Sequence, residues 1–296
     1  MNVMITGCAG FIGSHAADYF LSKGVNVVGL DSLTYAADMK NLSNALKNKN
    51  FKFIKEDICN TDEVIRICQE NSISWIFNFA AETHVDNSIV SDSEFIRTNI
   101  IGVKSLLDVC KMLNTKLFQI STDEVYGPIT SGSFSEDDKL SPQNPYAATK
   151  AAAEHIILSY SNTHQIKFII VRPANNFGPR QHEEKLLPTI IRSLKSNRKI
   201  PLYGDGKNIR DWLFVEDNVK IIYEIWDRSP INEVYNISLS NEKTNIEIIR
   251  SVLSIFEREF EENVDFVKDR LGHDFRYSIS NKKMSDLGIM KIYWIP

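Results

Sequence analysis

The amino-acid sequence predicts an α/β fold in which helices cover both faces of a doubly wound parallel sheet. Two observations lead to this prediction. Short apolar runs alternate with helical stretches through the first 172 residues. These runs are continuous and rich in Val, Ile and Phe, rather than alternating between apolar and polar residues. Continuous runs indicate strands that are buried on both faces, as the strands of a parallel sheet are.

The predicted elements follow one another in a regular order. Six strands are expected, at residues 2–6, 26–30, 51–55, 75–80, 116–120 and 167–172. Helical apolar spacing lies between them, near residues 12–22, 38–47, 62–70, 91–113 and 146–164. In a parallel sheet each strand must be joined to the next by a crossover connection. The helical stretches between consecutive strands supply these connections.

The character of the sequence changes after Arg172. Pro, Gly and Asn interrupt the chain, and the helices that follow are expected near residues 185–196, 216–227 and 244–259. We interpret residues 1–172 as a first domain and residues 173–296 as a smaller C-terminal region. The second region is expected to cover the carboxyl ends of the strands, and a few of its segments to return and extend the main sheet.

The composition excludes several classes of protein. With 43% hydrophobic and 24% charged residues, the chain resembles a soluble globular protein. The net charge of −4 argues against nucleic-acid binding, and no apolar run reaches the roughly 20 residues of a membrane span. No signal peptide is visible, so a cytoplasmic location is expected. The cysteines form no metal-binding pattern, so we expect reduced thiols and no metal site at Cys8, Cys59, Cys68 and Cys110.

A glycine-rich turn follows the first strand. The segment TGCAGFIG places Gly7, Gly10 and Gly13 before and within the start of a helix, with Phe11 and Ile12 between the last two glycines. The first glycine permits a tight turn, the second lets backbone approach a pyrophosphate, and the third lets the helix pack against the sheet. The amides of the helix N-terminus would face the phosphates. The strand–turn–helix context favours a Rossmann-like dinucleotide site over a plain turn.

Acidic residues end the next two strands. Asp31 lies 18 residues after Gly13, where a carboxylate accepts hydrogen bonds from the adenosine ribose and repels a 2′-phosphate. This position favours NAD over NADP, although Asp31 and Ser32 could also form a simple turn. Asp57 and Ile58 follow the third strand, where an adenine would lie, and the same alternative applies there.

Tyr146 and Lys150 form a candidate catalytic pair. They are four residues apart at the start of a helix, so they share one face. A phenol is a poor base at neutral pH, because its ordinary pKa is about 10. A nearby ammonium and a nicotinamide charge would favour the phenolate, and the lysine could also anchor the nicotinamide ribose. Alone this spacing is as typical of packing, but beside a dinucleotide site it indicates redox chemistry.

The segment STDEVYG places Asp123 and Glu124 directly after the fifth strand. The carboxyl ends of the strands form the ligand-binding edge of a doubly wound sheet. Two adjacent carboxylates there do not ionise equally, because repulsion and desolvation raise the pKa of one of them. One group can then serve as an acid and the other as a base, without the sequence saying which. The alternative is a turn-forming aspartate beside a solvated glutamate.

Seven segments together resemble a known family. They are TGCAGFIGSH, AAETHVDNS, STDEVYG, YAATK, RPANNFGPRQHEEKLLP, YGDGKNIRDWLFVEDN and DRLGHDFRY. Their order, from the first strand to about residue 288, is similar to that of the extended short-chain dehydrogenase/reductases. Within that family the chain most resembles the NAD-dependent nucleotide-sugar 4,6-dehydratases of the dTDP-glucose type.

The resemblance implies a three-step reaction on a nucleotide-glucose. The C4 hydroxyl is first oxidised with NAD, with Tyr146 as the base and Thr122 holding the C4 oxygen. Glu124 then removes the C5 proton while Asp123 protonates the C6 hydroxyl, which leaves as water. Return of hydride to C6 and of a proton to C5 gives a 4-keto-6-deoxy sugar nucleotide and restores the cofactor, which must stay bound throughout.

The resemblance also implies which residues contact the two ligands. At the cofactor these are Gly7, Gly10, Phe11, Ile12, Gly13, Asp31, Ser32, Leu33, Thr34, Asp57, Ile58, Phe79, Ala80, Ala81, Thr83, Thr98, Tyr146, Lys150 and Asn176. At the substrate they are Thr83, Thr122, Asn175, Lys185, Leu186, Pro201, Tyr203, Arg210, Asn236, Asp269, Arg270 and His273. The lone His84 is interpreted as a structural histidine.

The sequence departs from the family pattern at three places. Cys8 replaces a small glycine, and Leu271 stands where a proline is usual, a change expected to loosen the DRLGH segment. Family members also continue past the Leu-Gly pair near 287–288 into a Trp-Pro segment and a final helix. This sequence ends in DLGIMKIYWIP, so we expect the closing helix to be absent.

Two other functions compete with dehydration. A nucleotide-sugar 4-epimerase or decarboxylase shares the first oxidation step but does not need the Asp–Glu pair. A catalytically silent binding protein would not need the Thr, Tyr and Lys of the centre. The nucleotide is expected to be thymidine or uridine, which differ by one methyl group that a pocket distinguishes by only ~1–3 kcal/mol. The long helices at 91–113 and 146–164 are expected to form a homodimer, as in the family.

Overall fold

The computed structural model describes residues 1–269 and 274–289. Its strands in chain order are β1 (Asn2–Thr6), β2 (Asn26–Asp31), β3 (Phe51–Lys55), β4 (Trp75–Asn78), β5 (Lys116–Ile120), β6 (Phe168–Pro173), β7 (Asn175–Phe177), β8 (Ile200–Tyr203), β9 (Ile209–Phe214), β10 (Glu233–Ile237), β11 (Glu242–Thr244) and β12 (Val264–Val267). Its α-helices are α1 (Phe11–Ser22), α2 (Thr61–Glu70), α3 (Val85–Val90), α4 (Ser93–Phe95), α5 (Val103–Leu113), α6 (Pro145–His164), α7 (Leu186–Lys195), α8 (Val215–Arg228), α9 (Asn245–Ile255), α10 (Phe260–Asn263) and α11 (Lys282–Asp286). A π-helix, Ile96–Gly102, joins α4 to α5, and short 3₁₀ helices lie at Met39–Leu42, Ala45–Lys47 and Asp123–Tyr126.

Seven strands form the main sheet, in the order β3-β2-β1-β4-β5-β6-β10. Every pairing in it is parallel. Thr6, the last residue of β1, pairs with Leu30 on one side and with Asn78 on the other. The strand order changes direction at this point, which is where a doubly wound sheet leaves a crevice for a ligand. The predicted α/β fold with a doubly wound parallel sheet is confirmed.

Apolar side chains cover both faces of the sheet. In β1, Val3 and Ile5 belong to one buried cluster, while Met4 belongs to the cluster on the opposite face. Successive side chains of a strand point to opposite faces, so a strand covered on both sides must be apolar at every position. This is why the strands read as continuous apolar runs.

The chain beyond residue 172 also contributes to the main sheet. Strand β10 pairs with β6, and Val219 and Ile222 of α8 join the same buried cluster as Val3. A smaller separate cluster, which includes Leu202 and Leu253, fills the space between α7, α9 and the pair β8–β12. The core of the main sheet therefore contains segments from both sides of residue 172.

Three expected elements differ from the structure. The helix predicted at 91–113 is divided, since the π-helix Ile96–Gly102 precedes α5. The strand predicted at 75–80 ends at Asn78, because the chain from Phe79 leaves the sheet. The helix predicted at 38–47 is wrong, since two short 3₁₀ helices occupy this stretch. Asp38 accepts a hydrogen bond from the amide of Lys40, and Asn41 Nδ2 donates to the carbonyl of Ala9 at 2.9 Å. Short polar side chains that bond to backbone in this way compete with a regular helix.

All four cysteines are free thiols. Within residues 1–269 and 274–289, no helix combines the length and the apolar character that crossing a membrane requires.

Candidate active site

A cleft with a volume of about 400 Å³ opens at the carboxyl ends of the central strands. All five residues predicted to be catalytic line it, namely Thr122, Asp123, Glu124, Tyr146 and Lys150. The predicted cofactor residues that line it are Gly7, Gly10, Phe11, Ile12, Gly13, Asp31, Ser32, Thr34, Asp57, Ile58, Phe79, Ala80, Ala81, Thr83, Thr98 and Asn176. Two predicted substrate residues, Asn175 and Lys185, complete this group. The fold thus brings most of the predicted site into one cleft.

Other predicted residues lie outside the lining of this cleft. They are Leu33, Leu186, Pro201, Tyr203, Arg210, Asn236 and Asp269. The predictions for Arg270 and His273, and the departure at Leu271, fall outside the described residues. So does the expectation about the end of the chain, because residues 290–296 are not among those described.

The glycine turn has a geometry that only glycine fits. Gly7 has a φ of +64°, and a Cβ there would lie 2.7 Å from the amide nitrogen of Ala80. A Cβ at Gly13 would lie 2.2 Å from the carbonyl oxygen of Gly7. The backbone of β1, the turn and α1 therefore meet without side chains between them. Gly10 is the N-cap of α1, and it has no side chain to keep a phosphate from the first amides of the helix. This arrangement fits a dinucleotide pyrophosphate.

Asp31 is held at the end of β2 by two backbone amides. Its Oδ2 accepts from Ala9 N at 2.9 Å and its Oδ1 from Leu33 N at 2.8 Å. Burial raises the pKa of this carboxyl, and the two amide bonds oppose that rise. Leu33 does not line the cleft, but its backbone amide helps to hold the Asp31 carboxylate. A carboxylate at the end of β2 suits the hydroxyls of an adenosine ribose.

Asp57 forms an ion pair that the sequence analysis missed. Its Oδ2 lies 2.6 Å from Arg97 Nη2, and its Oδ1 accepts from Cys59 N at 2.8 Å. Burial raises the pKa of Asp57, but these bonds outweigh it and hold the pKa below its ordinary value. Arg97 also lines the cleft, one residue before Thr98. In the sequence, the one feature that pointed to Arg97 was its place next to Thr98, a predicted cofactor contact.

A short 3₁₀ helix carries the two acids. Thr122 begins it, with Oγ1 accepting from Glu124 N at 3.3 Å and donating to Asp123 Oδ1 at 3.3 Å. Asp123 is buried, and its Oδ2 has no hydrogen-bond partner among the described residues. Glu124 Oε2 accepts from Asn144 Nδ2 at 3.3 Å. A buried carboxylate oxygen of this kind is available to a ligand in the cleft.

The two acids have different surroundings. Burial, and then the charge of Glu124, raises the pKa of Asp123 to about 8. Burial also raises the pKa of Glu124, but Arg210, the Asn144 amide and Lys185 oppose that rise. Arg210 and the Thr122 hydroxyl likewise oppose the rise at Asp123. With a pKa of about 8, Asp123 is mostly protonated at neutral pH. The sequence could not show which of the two acids has the higher pKa. The sequence analysis also missed Asn144, although its place before Pro145 marks it as the residue at the start of a helix.

Tyr146 and Lys150 both lie buried on α6. Burial, Glu124 and Asp123 raise the pKa of Tyr146, while a hydrogen bond to Thr122 opposes the rise. Burial lowers the pKa of Lys150 to about 8, and its Nζ donates to the carbonyl of Ile120 at 2.7 Å. The surroundings of Tyr146 thus raise its pKa, whereas the phenolate expected from the sequence requires a lower pKa.

Arg210 and Lys185, two residues predicted to contact the substrate, each donate a hydrogen bond to a backbone carbonyl. Arg210 stacks on the ring of Tyr277 at 4.3 Å and donates to the carbonyl of Asp274 at 2.9 Å. Lys185 Nζ donates to the carbonyl of Thr83 at 3.2 Å. Arg210 and Lys185 are both near enough to lower the pKa of Glu124, so their charges face the acids.

Asn236 is fully buried in β10, away from the cleft. Its Oδ1 accepts from Tyr126 OH at 2.8 Å, and its Nδ2 donates to the carbonyl of Phe134 at 3.1 Å. The structure therefore places this residue in a structural network behind the acids rather than in the lining of the cleft. His84, in contrast, was interpreted as structural, and its Nδ1 accepts from Asn87 N at 3.2 Å at the start of α3.

The sheet, the glycine turn and the Tyr–Lys pair on α6 define an extended short-chain dehydrogenase/reductase. The model of the family described as GDP-mannose 4,6 dehydratase matches residues 4–288, and the chain belongs to this family.

Relatives and solved structures agree with this assignment. The chain is 44% identical to the low-salt glycan biosynthesis protein Agl12 of Haloferax volcanii, over 97% of this chain and 93% of that protein. It is 38% identical to a dTDP-glucose 4,6-dehydratase of Neisseria gonorrhoeae, over 100% of this chain and 91% of that enzyme. The structure is similar to that of DesIV, a dTDP-glucose 4,6-dehydratase from Streptomyces venezuelae with NAD and TYD bound. The TM-score is 0.96, with 36% identity and coverage of 99% of this chain and 93% of that one.

Proposed function

We propose that this protein is an NAD-dependent nucleotide-sugar 4,6-dehydratase, a hydro-lyase. Its substrate is dTDP-glucose or UDP-glucose, and its product is the 4-keto-6-deoxy nucleotide sugar. One observation carries the proposal, which is the pair of adjacent carboxyls, a buried Asp123 and a half-buried Glu124, beside the Tyr–Lys pair in the cofactor cleft. Elimination of water from a sugar needs both an acid and a base at neighbouring carbons, and this cleft supplies them.

The cofactor site is built from the glycine turn and from Asp31. The turn gives a pyrophosphate access to backbone amides, and Asp31 accepts hydrogen bonds from the adenosine ribose. When bound, NAD would supply the hydride acceptor for oxidation at C4 and the hydride donor for reduction at C6, and a proton would return to C5 in the last step. A 2′-phosphate would be repelled by the Asp31 carboxylate, which favours NAD over NADP.

Tyr146 accepts the proton of the C4 hydroxyl during the oxidation, and Thr122 holds the C4 oxygen. The pKa of Tyr146 is raised in the protein. Its deprotonation would need a positive charge nearby, which the ammonium of Lys150 and the bound cofactor would supply. With a pKa of about 8, Lys150 is mostly protonated at neutral pH and can serve this purpose. Lys150 also anchors the nicotinamide ribose.

Elimination then divides between the two carboxyls. Glu124 accepts the C5 proton, which the new C4 ketone has made acidic. Asp123 donates its proton to the C6 hydroxyl, the C6–O bond breaks and water leaves. The raised pKa of Asp123 supports its role as the acid, because the group is still protonated at neutral pH.

The substrate's diphosphate lies toward Arg210 and Lys185. A guanidinium matches phosphate oxygens with two parallel hydrogen bonds, and the lysine adds a second positive charge. Asn175 lines the cleft with a buried Oδ1 that has no partner among the described residues, which suits a sugar hydroxyl.

A 4-epimerase or decarboxylase is the second candidate. It would use Thr122, Tyr146 and Lys150 for the same oxidation. It would not need a protonated carboxyl beside a carboxylate at C5 and C6. The different surroundings of Asp123 and Glu124 therefore favour dehydration.

We also propose that the protein acts as a homodimer in the cytoplasm. Apolar side chains are exposed on the outer sides of the π-helix, α5 and α6, at Ile101, Met112 and Leu158. Exposed apolar patches of this kind mark protein–protein contacts. The four free thiols are consistent with a reducing compartment.

Product analysis tests the function. The purified protein, loaded with NAD, is incubated separately with dTDP-glucose and with UDP-glucose, and the products are separated and weighed by mass spectrometry. We expect a product lighter by one water. A C4 epimer of unchanged mass would support the second candidate instead. Folded, NAD-loaded protein that changes neither substrate would contradict both enzymatic functions.

A further inference from the structure

Helix α6 presents a third buried polar side chain on the face that carries Tyr146 and Lys150. Glu154 lies one further turn along, at the same four-residue spacing, and is fully buried. Its position is too deep to line the cleft. A buried carboxylate is costly unless it is paired, so its partners indicate what it holds in place.

Glu154 connects α6 to the ends of two central strands. Arg172, in β6, donates from Nη2 to Glu154 Oε2 at 2.6 Å and from Nε to both carboxylate oxygens at 3.1 Å. Ser121, which follows β5, donates its hydroxyl to Glu154 Oε1. The carboxylate is thus fully satisfied by one charged partner and one neutral partner, and it fixes Ser121 against the helix.

The same network reaches the other end of the segment that carries the acids. Arg172 Nη1 donates to the hydroxyl of Tyr126, and its guanidinium lies 4.8 Å from the centre of that ring. The Tyr126 hydroxyl in turn donates to Asn236 Oδ1 at 2.8 Å. Ser121 and Tyr126 stand on either side of residues 122–124. Both ends of the acidic segment are therefore tied to the Glu154–Arg172 pair.

We infer that Glu154 is a positioning residue, which fixes Asp123 and Glu124 at the correct distance from Tyr146. The inference rests on the proposed function, since one sugar ring must meet groups from two elements. Tyr146 acts from α6, whereas the acids act from the 3₁₀ helix after β5. Asn144, at the start of α6, bonds to Glu124 directly. Lys150 and Glu154 add links from α6 to Ile120 and Ser121, the two residues that precede the acidic segment. Displacement of reacting groups by about 1 Å can cost on the order of 100-fold in rate.

Two variants test this inference, with one control. Glu154→Gln removes the charge and leaves the guanidinium of Arg172 without its partner. Ser121→Ala keeps that ion pair and removes only the hydroxyl link, so it covers the case in which the first variant does not fold. Glu63→Gln is the matched control, because it breaks a glutamate–arginine pair with Arg66 on the exposed surface of α2.

The measured quantity is the ratio of C4 oxidation to water loss in a single turnover with dTDP-glucose. Oxidation is followed by the formation of reduced nicotinamide, and water loss by the mass of the sugar nucleotide. We expect Glu154→Gln to slow water loss at least about tenfold more than oxidation, and Ser121→Ala to show a smaller change in the same direction. Glu63→Gln should leave the ratio unchanged. Equal slowing of both steps, which general destabilisation would give, contradicts the inference.

Crystal structures of the two variants provide a readout that needs no turnover. The inference predicts that residues 122–124 move relative to Tyr146 while α6 stays in place on the sheet. Unmoved acids in both variants would overturn it. Failure of the wild-type protein to convert any nucleotide-glucose would count against the proposed function alone, because the crystallographic comparison would still decide the role of Glu154.

Discussion

At the scale of single residues, the environment separates two acids that the sequence places side by side. Asp123 Oδ2 is buried and has no hydrogen-bond partner in the described part of the chain, whereas Glu124 accepts a hydrogen bond from the Asn144 amide. The charge of Arg210 acts on both acids, and that of Lys185 acts on Glu124. Neighbouring groups whose pKa values are moved apart can divide the work of an acid and a base. The two carboxyls therefore have different surroundings, and burial raises the pKa of Asp123 to about 8.

Glu124→Gln tests the assignment of the base. The amide has nearly the same shape and keeps a hydrogen bond to Asn144, but it cannot accept the C5 proton. We expect C4 oxidation to proceed while water loss falls by about 10²–10⁴-fold, the usual contribution of a general base. Single-turnover measurement of reduced nicotinamide and of product mass gives both rates. Water loss at the wild-type rate in this variant would refute the role of Glu124.

The pKa of Asp123 also predicts a dependence of stability on pH. Its folded pKa of about 8 lies above its ordinary value of 3.8, so its contribution to stability is complete below that lower value. This contribution is lost as the pH rises toward 8, by up to about 1.4 kcal/mol for each pH unit. Asp123→Asn removes this term. The variant should therefore gain stability relative to the wild type between pH 4 and pH 8.

Denaturant unfolding of both proteins across this pH range measures the difference. Taking the difference cancels the titrating groups that do not interact with Asp123. Lys150 does not affect the comparison, because its lowered pKa of about 8 changes stability only above that pH. A constant difference between the two proteins from pH 4 to pH 8 would show that Asp123 is an ordinary, low-pKa carboxyl.

At the scale of elements, the turn between β1 and α1 decides whether a cofactor binds. Gly7 must adopt a positive φ and also leave room for the amide of Ala80. The chain holds a matched comparison in Gly24, whose φ is +78° but whose missing Cβ would meet nothing within 4 Å. The two positions share the backbone conformation and differ only in what surrounds them.

Gly7→Ala and Gly24→Ala separate these two effects. Each should lose about 1–2 kcal/mol of unfolding free energy from the left-handed backbone conformation. Only Gly7→Ala should also lose bound NAD, because its new methyl group pushes the turn away from β4. Extraction of NAD from the purified variants, measured against protein concentration, checks this. Equal NAD content in the two variants would contradict the assigned cofactor site.

The elements that the sequence predicted well are those whose own residues determine them. The buried strands and helix α6 are examples, since continuous apolar runs and the Asn144–Pro145 start can be read locally. The stretch at 38–47 was predicted wrongly because its polar side chains bond to backbone, and in the case of Asn41 to Ala9, far away in the chain. Asn236 and Arg210 show the same limit, since partners distant in the sequence decide their positions.

At the scale of the whole molecule, the exposed apolar side chains of the π-helix, α5 and α6 form the proposed dimer contact. Ile101→Glu places a charge in this surface and should convert the dimer to a monomer, because a buried unpaired carboxylate is costly. Ile255→Glu is the control, since Ile255 is also exposed but lies on α9 in the second region. Light scattering during size-exclusion chromatography gives the masses. A dimer that persists in Ile101→Glu would exclude this surface.

The central claim is that one cleft performs oxidation, elimination and hydride return with a cofactor that is never released. The most direct test uses a nucleotide-glucose that carries deuterium at C4, with unlabelled NAD on the protein. The claim predicts a product lighter by one water that keeps the deuterium, now at C6, as magnetic resonance would show. A dehydrated product without deuterium at C6, or a C4 epimer that still contains its C6 hydroxyl, would contradict it.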